Sequence, residues 1–469
     1  MIRTKDRISR EKRLKEEKEK VMRKKTKLFL VFTLIGTMVA TLSSGVLAQK
    51  PAIPEIPKVE VVFGHEPYMD HTEYIIGMSK GWYDEVGITI LPKPNGKVIS
   101  SENCVPVLAA GSVDILSGSS VLFLGAYKSL PPYKGIFWAD IFQGYAIMAQ
   151  PDQGYKSVDD FIAEGVEPKE ALFKAAQQMK GKKFGYPTEA AIKGFIFLAL
   201  EKGGITLGDV DTVIAPDAKT VAMMIGKQID FEVGGVPAHI TLESKGFKPI
   251  ITSFDLARYA KPSPESKELR AIFHDGMVAL DSWIEKNHDT MLRMCGVLAR
   301  ITVFMNEHQA EAIEIHRPFL NSAAGTNITH EETIVIYESL DPFIPFDQQW
   351  MWYLDPGNPL YEDNIHGSHI KIWEEKGLFK PGEVKPEDVS IASKNYKELL
   401  YLRDNAHMKM LKTQRLLKKA EEKGVAGPDL NQAKDLLAEA NDHSEIYNYL
   451  DASRFAGAAL EWVNYALSQ

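Results

Sequence analysis

The segment 59–91 reads VEVVFGHEPYMDHTEYIIGMSKGWYDEVGITIL, and its hydrophobic spacing changes along its length. A short apolar run at 59–63 is typical of a β-strand, and residues 74–82 then place apolar side chains on one helical face. After the break at Gly87 the apolar spacing of a strand resumes. The segment therefore predicts a strand, loop, helix and strand unit of an α/β fold.

The loop at 64–72 is the first place where we expect a binding site. It follows a predicted strand, and in open α/β sheets ligands bind beyond the carboxyl ends of the strands. The loop carries Tyr68 and His71, which we predict to contact a ligand. Its histidines and carboxylates have spacings that match no common metal motif, so no metal site and no cofactor are predicted.

The same segment also resembles a known family. His-Thr at 71–72, Lys-Gly-Trp-Tyr at 80–83 and Glu-Val-Gly-Ile at 85–88 resemble the opening of the substrate-binding proteins of transporters for alkanesulfonates, taurine, nitrate and thiamine pyrimidine precursors. Gly77 stands where that family usually has Ala. The resemblance implies a two-lobed α/β protein with the type II periplasmic-binding-protein fold. It also implies that a small solute binds between the lobes and passes to the membrane permease of an ABC-type importer.

A second candidate loop follows the sequence LAAGSVDI at 108–115, which is similar to the family sequence before its second ligand loop. Ser119 and Ser120 lie in this loop. Hydroxyls and backbone N–H groups near a helix N-terminus suit polar or anionic groups. An ordinary helix N-cap is the alternative for such serines taken alone. We predict that both serines contact the ligand.

Four further residues complete the predicted site. Trp138 is a candidate to stack on a planar ligand, with filling of the lobe core as the alternative. Thr188 is placed to cap a helix whose free N–H groups suit an anion, whereas Glu189 in the same turn would repel one. Gly234 would allow close approach of the backbone when the lobes close.

The candidate loops are rich in carboxylates and aromatic rings. Sulfonate, nitrate or bicarbonate would need unopposed N–H groups and a cation, so these loops favour an amino-bearing aromatic solute such as a pyrimidine. The carboxylates are those of Glu66, Asp70, Glu189 and Glu232, and the rings are those of Tyr68, Trp138 and Tyr145.

The N-terminus has the pattern of a secretory signal peptide at 1–48. Residues 1–27 carry 13 Lys and Arg against 5 acidic residues, a net charge of +8, and residues 28–48 are uncharged and end in an A-x-A-like site. An uncleaved membrane anchor is the alternative. A start at Met22 would give a signal of ordinary length. We expect a periplasmic or extracellular protein, with a Pro-rich linker at 49–58.

Charge and cysteine content narrow the range of partners. The whole chain has a net charge of −8, and subtracting the +8 of residues 1–27 leaves −16 for the rest. So acidic a protein argues against nucleic acid or an anionic membrane surface as partner. Cys104 and Cys295 lie far apart in apolar surroundings, so we predict two separate buried thiols.

The order of the apolar runs predicts the domain organisation. We expect one lobe from 59–145 and 255–395, a second lobe from 146–254, and a helical C-terminal extension at 396–469. An insertion at 162–178 separates two halves of a family motif. The extension is interpreted as a helical appendage on a lobe, with a docking surface for a partner as the alternative.

No common catalytic motif is present, so the sequence predicts a binding protein and not an enzyme. One branch of the resembled family, the thiamine pyrimidine synthases, is enzymatic and uses a histidine near the position of His71. Its cysteine-rich iron motif is missing here. Two alternatives remain open: a ligand-sensing adaptor that docks through the helical extension, and a synthase-like enzyme.

Overall fold

The computed structural model describes residues 49–187 and 190–469. The predicted signal peptide at 1–48 and the alternative start at Met22 lie outside the described residues, and so do Thr188 and Glu189. Within the described ranges, no helix is both long enough and apolar enough to cross a membrane.

Six strands form the first sheet: β1 (Val59–His65), β2 (Ile88–Leu91), β3 (Lys97–Val98), β4 (Ile115–Ser117), β5 (Tyr133–Phe142) and β11 (Phe273–Leu280). Their order is β2-β1-β4-β11-β5, and β3 pairs with β1 beside this path. Strand β1 runs parallel to β2 and β4, whereas β11 lies antiparallel between β4 and β5. The carboxyl end of β1 therefore opens into the loop that holds Tyr68 and His71.

Five strands form the second sheet: β6 (Ala146–Ala149), β7 (Lys183–Tyr186), β8 (Asp211–Ile214), β9 (Phe231–Gly234) and β10 (Lys248–Thr252). Their order is β10-β6-β9-β7-β8. Strand β7 is parallel to β8 and β9, and β6 is antiparallel to β9 and β10.

The chain passes from the first sheet to the second after Phe142 and returns between Thr252 and Phe273. Each sheet has its own helices, so the molecule consists of two α/β lobes joined by these two crossings. This architecture confirms the predicted two-lobed α/β fold of the type II periplasmic-binding-protein class with a C-terminal helical extension. The exact lobe boundaries proposed from the sequence stay predictions.

The α-helices of the described residues surround the two sheets and form the extension. They are α1 (Tyr74–Lys80), α2 (Trp82–Glu85), α3 (Ser101–Ala109), α4 (Val158–Ala163), α5 (Pro168–Gln177), α6 (Ala190–Lys202), α7 (Asp217–Ile225), α8 (Ala238–Glu243), α9 (Ser253–Ala257), α10 (Asp281–Lys286), α11 (His288–Glu307), α12 (Gln309–Ala324), α13 (His330–Val335), α14 (Trp350–Tyr353), α15 (Glu362–Glu375), α16 (Ala392–Glu422), α17 (Pro428–Glu445) and α18 (Tyr449–Ser468).

Two short helices, α4 and α5, account for the insertion at 162–178. Ser157 accepts a hydrogen bond from the backbone N–H of Asp160, and the Asp160 carboxylate accepts one from the N–H of Ser157, so a capping box starts α4. Pro168 begins α5, a position where its missing N–H costs nothing. Leu172 of α5 is buried, and the helix contacts α6 and β10. The insertion therefore thickens the second lobe.

Helices α16, α17 and α18 form an extension with a hydrophobic core of its own. Arg293 on α11 donates hydrogen bonds of 2.8 and 3.1 Å to the carboxylate of Asp451 on α18. Both side chains are only 1% exposed. Gly296 on α11 allows close contact, because a Cβ there would lie 2.4 Å from the carbonyl oxygen of Tyr447. The extension is therefore locked to the first lobe.

The N-terminal linker lies against this extension. Lys50 Nζ is 2.9 Å from Asp429 Oδ1 on α17 and 5.0 Å from the ring centre of Trp462 on α18. Ile56 packs against the hydrophobic core of the extension. The linker therefore follows the extension before the chain enters β1.

The two cysteines are separate buried thiols, as predicted. Cys104 lies on α3 and Cys295 on α11, and neither forms a disulfide. Burial raises the pKa of the Cys295 thiol, so this side chain stays neutral and packs as an apolar group.

Replacing Asp451 by alanine should destabilise the protein, because it leaves the guanidinium of Arg293 buried without its partner. Removing one member of a buried ion pair typically costs about 3–5 kcal/mol in the free energy of unfolding. Denaturant unfolding followed by circular dichroism measures the effect. Asp435→Ala removes an exposed carboxylate from α17 and should change the free energy of unfolding by less than about 0.5 kcal/mol. Equal effects of the two variants would contradict the locking role of Asp451.

Candidate functional site

A cleft with a volume of about 570 Å³ lies between the lobes. The first lobe lines it with Tyr68, residues 100–102 and the end of α12, and the second lobe with residues 214–218 and 237–238. Most of this surface is apolar. Because the carboxyl end of β1 faces it from one lobe and the carboxyl end of β8 from the other, the cleft lies where ligands bind in open α/β sheets.

The cleft continues into a narrow deep end of about 20 Å³. Tyr68, Asp70 and His71 line it from the first lobe, and Gly235 and Val236 from the second. The aromatic rings of Phe142, Tyr145 and Phe273 close it beside the crossings. Tyr68 and Asp217 line both the wide cleft and the deep end, so the two spaces belong to one site.

Tyr68 connects the lobes. Its hydroxyl lies 2.9 Å from Ser101 Oγ in its own lobe, and it faces the carboxyl of Asp217 in the other lobe closely enough to lower the pKa of that group. Asp217 is the first residue of α7, where a negative charge complements the helix dipole. The residue is half-buried, but its Oδ1 is shielded from solvent. Burial raises the pKa of Asp217 to about 6, although the hydrogen bond from Tyr68 acts in the opposite direction.

His71 lies in the deep end among three carboxylates. Its Nε2 is 3.1 Å from Asp275 Oδ2 and 3.6 Å from Asp70 Oδ2, and its Nδ1 is 3.7 Å from Glu66 Oε1. The turn Met69–His71 supplies two of these side chains, and β11 supplies Asp275. Burial alone would lower the pKa of His71, but the charges of Asp275 and Asp70 outweigh it and raise the pKa well above 6.5. Burial raises the pKa of Asp70 to about 7.

Three more buried carboxyl groups surround this group. Glu73, Asp140 and Asp341 have no hydrogen-bond partner for either carboxylate oxygen within the described part of the chain. Burial raises the pKa of each well above its ordinary value, and the charge of Asp275 or Asp70 raises it further. The first lobe therefore buries a strongly acidic cluster behind the cleft.

A chain of hydrogen bonds holds the His71 turn in place from behind. Thr72 Oγ1 donates to the backbone carbonyl of Tyr68 over 2.8 Å and lies 2.6 Å from His316 Nε2. The other nitrogen of His316, Nδ1, is 2.7 Å from the hydroxyl of Tyr337. Burial lowers the pKa of His316 to about 3, so the ring is neutral and acts as a structural link.

The predicted residues of the first loop lie together, and those of the second loop do not face the wide cleft. Tyr68 and His71 line the deep end. Gly118 lies against His71, since a Cβ on it would be 3.8 Å from His71 Cε1. Ser119 is buried beside it, and its Oγ has no hydrogen-bond partner among the described residues. Ser120 needs correction, because its Oγ lies 3.1 Å from His366 Nε2 within the core.

Two other predicted positions lie away from the cleft lining. Trp138 is fully buried, donates from Nε1 to Glu362 over 2.8 Å and stacks on His274, which is the placement expected from the core alternative. Gly234 serves the packing of β9 on α8, since a Cβ on it would lie 2.9 Å from that of Ala238. Its neighbour Gly235 lines the deep end instead. Thr188 and Glu189 lie outside the described residues and stay predictions.

Sequence reasoning missed Asp217 and Asp275. Asp217 lies three residues beyond the carboxyl end of β8 and directly after Pro216, which is a position where binding residues are expected. Asp275 stands with His274 in the middle of the apolar run AIFHDGMVAL at 271–280. Two adjacent ionisable residues inside a buried strand were the available signal, because buried polar and charged groups need partners.

No protein-family model and no curated protein matches the sequence. Solved structures are similar to it at low identity. The periplasmic aliphatic sulphonate binding protein SsuA from Escherichia coli is 13% identical, with a match that covers 73% of this chain and 99% of that one at a TM-score of 0.49. The periplasmic nitrate-binding protein NrtA from Synechocystis PCC 6803 is 14% identical, and the match covers 75% of this chain and 89% of that one at a TM-score of 0.48.

The desulfurization enzyme DSZB is also similar. It is 11% identical, and the match covers 73% of this chain and 99% of that one at a TM-score of 0.46. The similar structures thus include members of the family that the sequence resembles, and an enzyme. The chain has the two-lobed type II periplasmic-binding-protein fold because its strand order and its two crossings are those of that fold.

Asp217→Asn should change the pH dependence of stability. Because the folded pKa of about 6 exceeds the ordinary 3.8, the contribution of Asp217 to stability is fully present below about pH 4 and is lost as the pH rises through about 6. The variant should therefore gain stability relative to the natural protein across this window. The gain is at most about 3 kcal/mol, since each pKa unit corresponds to about 1.4 kcal/mol. Denaturant unfolding at one-unit pH steps measures it.

Asp211→Asn is the matched control for this experiment, because it removes an exposed carboxylate from the preceding strand. A difference between Asp217→Asn and the natural protein that is the same at every pH would contradict a raised pKa of Asp217.

Proposed function

We propose that this protein is the exported solute-binding component of an ABC-type importer. It captures a small solute between its two lobes and delivers it to a membrane permease, in the periplasm or outside the cell. The observation that carries this proposal is the cleft whose walls come from both lobes and whose sides meet at Tyr68 and Asp217. Its role is binding and not catalysis.

Hinge closure is the mechanism that we propose. The rings of Phe142 and Phe273, one at each crossing, stack at 4.8 Å between centres, and Tyr145 packs against Phe142 at 4.6 Å. Two adjacent crossings let the lobes rotate about one axis while their sheets stay intact. A solute that contacts both lobes stabilises the closed arrangement more than the open one and so shifts the population toward it.

The chemistry of the cleft supports an amino-bearing, largely apolar solute. Glu102 and Asp217 are the acidic groups among the described residues that line the wide cleft, and no lysine or arginine is among them. Asp70 adds a third carboxyl group in the deep end. In the wide cleft a free sulfonate or nitrate would meet these carboxyl groups with no lysine or arginine beside them, whereas an aromatic amine would donate to them and pack on the apolar walls.

Tyr68→Phe should weaken solute binding, because it keeps the ring and removes the hydroxyl that bridges to Asp217. Hydrogen bonds to charged groups contribute about 1.5–3 kcal/mol, so we expect a loss of roughly ten- to a hundredfold in affinity. A thermal-shift panel of aminopyrimidines, aromatic amines, sulfonates and nitrate identifies the solute. At a hundredfold over its Kd, a true ligand should stabilise the protein by about 2.7 kcal/mol. Calorimetric titration then compares the variants.

Tyr401→Phe is the control, since Tyr401 on α16 is 66% exposed and far from the cleft in the fold. Unchanged affinity in Tyr68→Phe would contradict the proposed site. Stabilisation by sulfonates or nitrate alone would show that the proposed solute class is wrong.

The ligand-sensing adaptor alternative uses the same cleft and docks a partner through the extension. A solute found in the panel therefore fits both roles, and what separates them is whether the solute-loaded protein binds a membrane permease or a partner of the extension. Deleting the extension would not separate the two roles, because the deletion would leave Arg293 buried without Asp451.

A further inference from the structure

We propose that His71, Asp70 and Asp275 form a binding site for a divalent transition-metal ion at the deep end of the cleft. One ligand atom from each of these three residues lies within 4.8 Å of the others. The distances from His71 Nε2 to Asp275 Oδ2 and Asp70 Oδ2 are 3.1 and 3.6 Å. Ligands about 2.1 Å from a tetrahedral ion lie about 3.4 Å from one another, so this spacing already suits coordination.

The hydrogen bonding of the cluster gives a second, independent reason. Asp275 Oδ2 lies close to His71 Nε2, yet it has no hydrogen-bond partner among the described residues. Asp70 Oδ1 also lacks one, and both residues are at least 98% buried. Buried polar atoms without partners are costly, at about 1–3 kcal/mol each. The carboxylate oxygens that converge beside His71 therefore still have lone pairs that a cation between them could use.

Neighbouring buried polar atoms also lack hydrogen-bond partners among the described residues. Glu66 Oε1 lies 3.7 Å from His71 Nδ1, the nitrogen that a metal bound at Nε2 leaves free. At 3.7 Å the two groups are too far apart for a hydrogen bond, and Nδ1 has no other hydrogen-bond partner among the described residues. Asp140 is paired in register with Asp275 on the adjacent strand, and both of its buried carboxylate oxygens are without hydrogen-bond partners in the described ranges.

The ligand set selects the class of ion. One imidazole and two carboxylates suit Zn²⁺, Mn²⁺ or Fe²⁺, whereas Mg²⁺ and Ca²⁺ prefer oxygen ligands alone. Asp70 and His71 line the deep end, so the ion would enter through the cleft between the lobes. The site uses residues of the first lobe only, but Asp70 and His71 also line the end of the cleft in which the proposed solute would bind, so an ion and a solute would share that end.

Titration of the purified, metal-stripped protein with Zn²⁺, Mn²⁺ and Mg²⁺ tests the site. We expect one Zn²⁺ or Mn²⁺ per chain, a higher melting temperature with either ion, and at least tenfold weaker binding of Mg²⁺. Asp275→Asn should weaken Zn²⁺ binding by at least tenfold. Glu362→Gln is the matched control, because Glu362 is a buried carboxylate of the same lobe that lies outside the cluster, and it should bind Zn²⁺ as the natural protein does.

Three results would overturn the proposal: binding of none of these ions, equal Zn²⁺ affinity in Asp275→Asn, or equal affinity for Mg²⁺ and Zn²⁺. If the variant fails to fold, the visible absorption of the Co²⁺-loaded natural protein decides, since coordination by a buried imidazole and carboxylates gives bands that hydrated Co²⁺ lacks. Absence of the bands would refute the site. Repeating the solute panel in the presence of a chelator separates the two proposals, because solute binding without metal would leave the transport role standing.

Discussion

Backbone pairing of β11 between β4 and β5 is the constraint on which this structure depends. The chain leaves the first lobe after β5, builds the whole second lobe, and returns to insert β11 into the middle of the first sheet. This return fixes the two crossings side by side and so defines the axis about which the lobes can rotate. The same return brings Asp275 to His71. Met277 of β11 pairs with Ser117 of β4, and Gly118, the next residue, lies against the imidazole ring of His71.

The two walls of the cleft differ in character. The first lobe presents Tyr68 in front of a buried cluster of carboxyl groups. Among the described residues of the second lobe, the wall is mostly apolar and carries the carboxyl of Asp217 at a helix start. Such a division suits a protein that first binds a solute on one lobe and then covers it with the other.

The local elements could be predicted from the sequence and most of the site could not. The strand, loop and helix unit at 59–91, the break between α4 and α5, and the separate thiols follow from residue spacing, caps and burial, which are local properties. Trp138 was ambiguous because alternation along a strand does not tell which face meets the cleft. Asp217 and Asp275 are far from Tyr68 and His71 in sequence, and only the assembled lobes bring these pairs together.

The contact between the linker and the extension determines where mechanical load enters the molecule. A pull on the chain at Lys50 is resisted first by Asp429 and Trp462, and then by the Arg293–Asp451 pair that joins α18 to the first lobe. Neither crossing between the lobes lies on this route. A molecule held by its N-terminal end, on a sensor chip or in a force experiment, therefore keeps its second lobe free to swing.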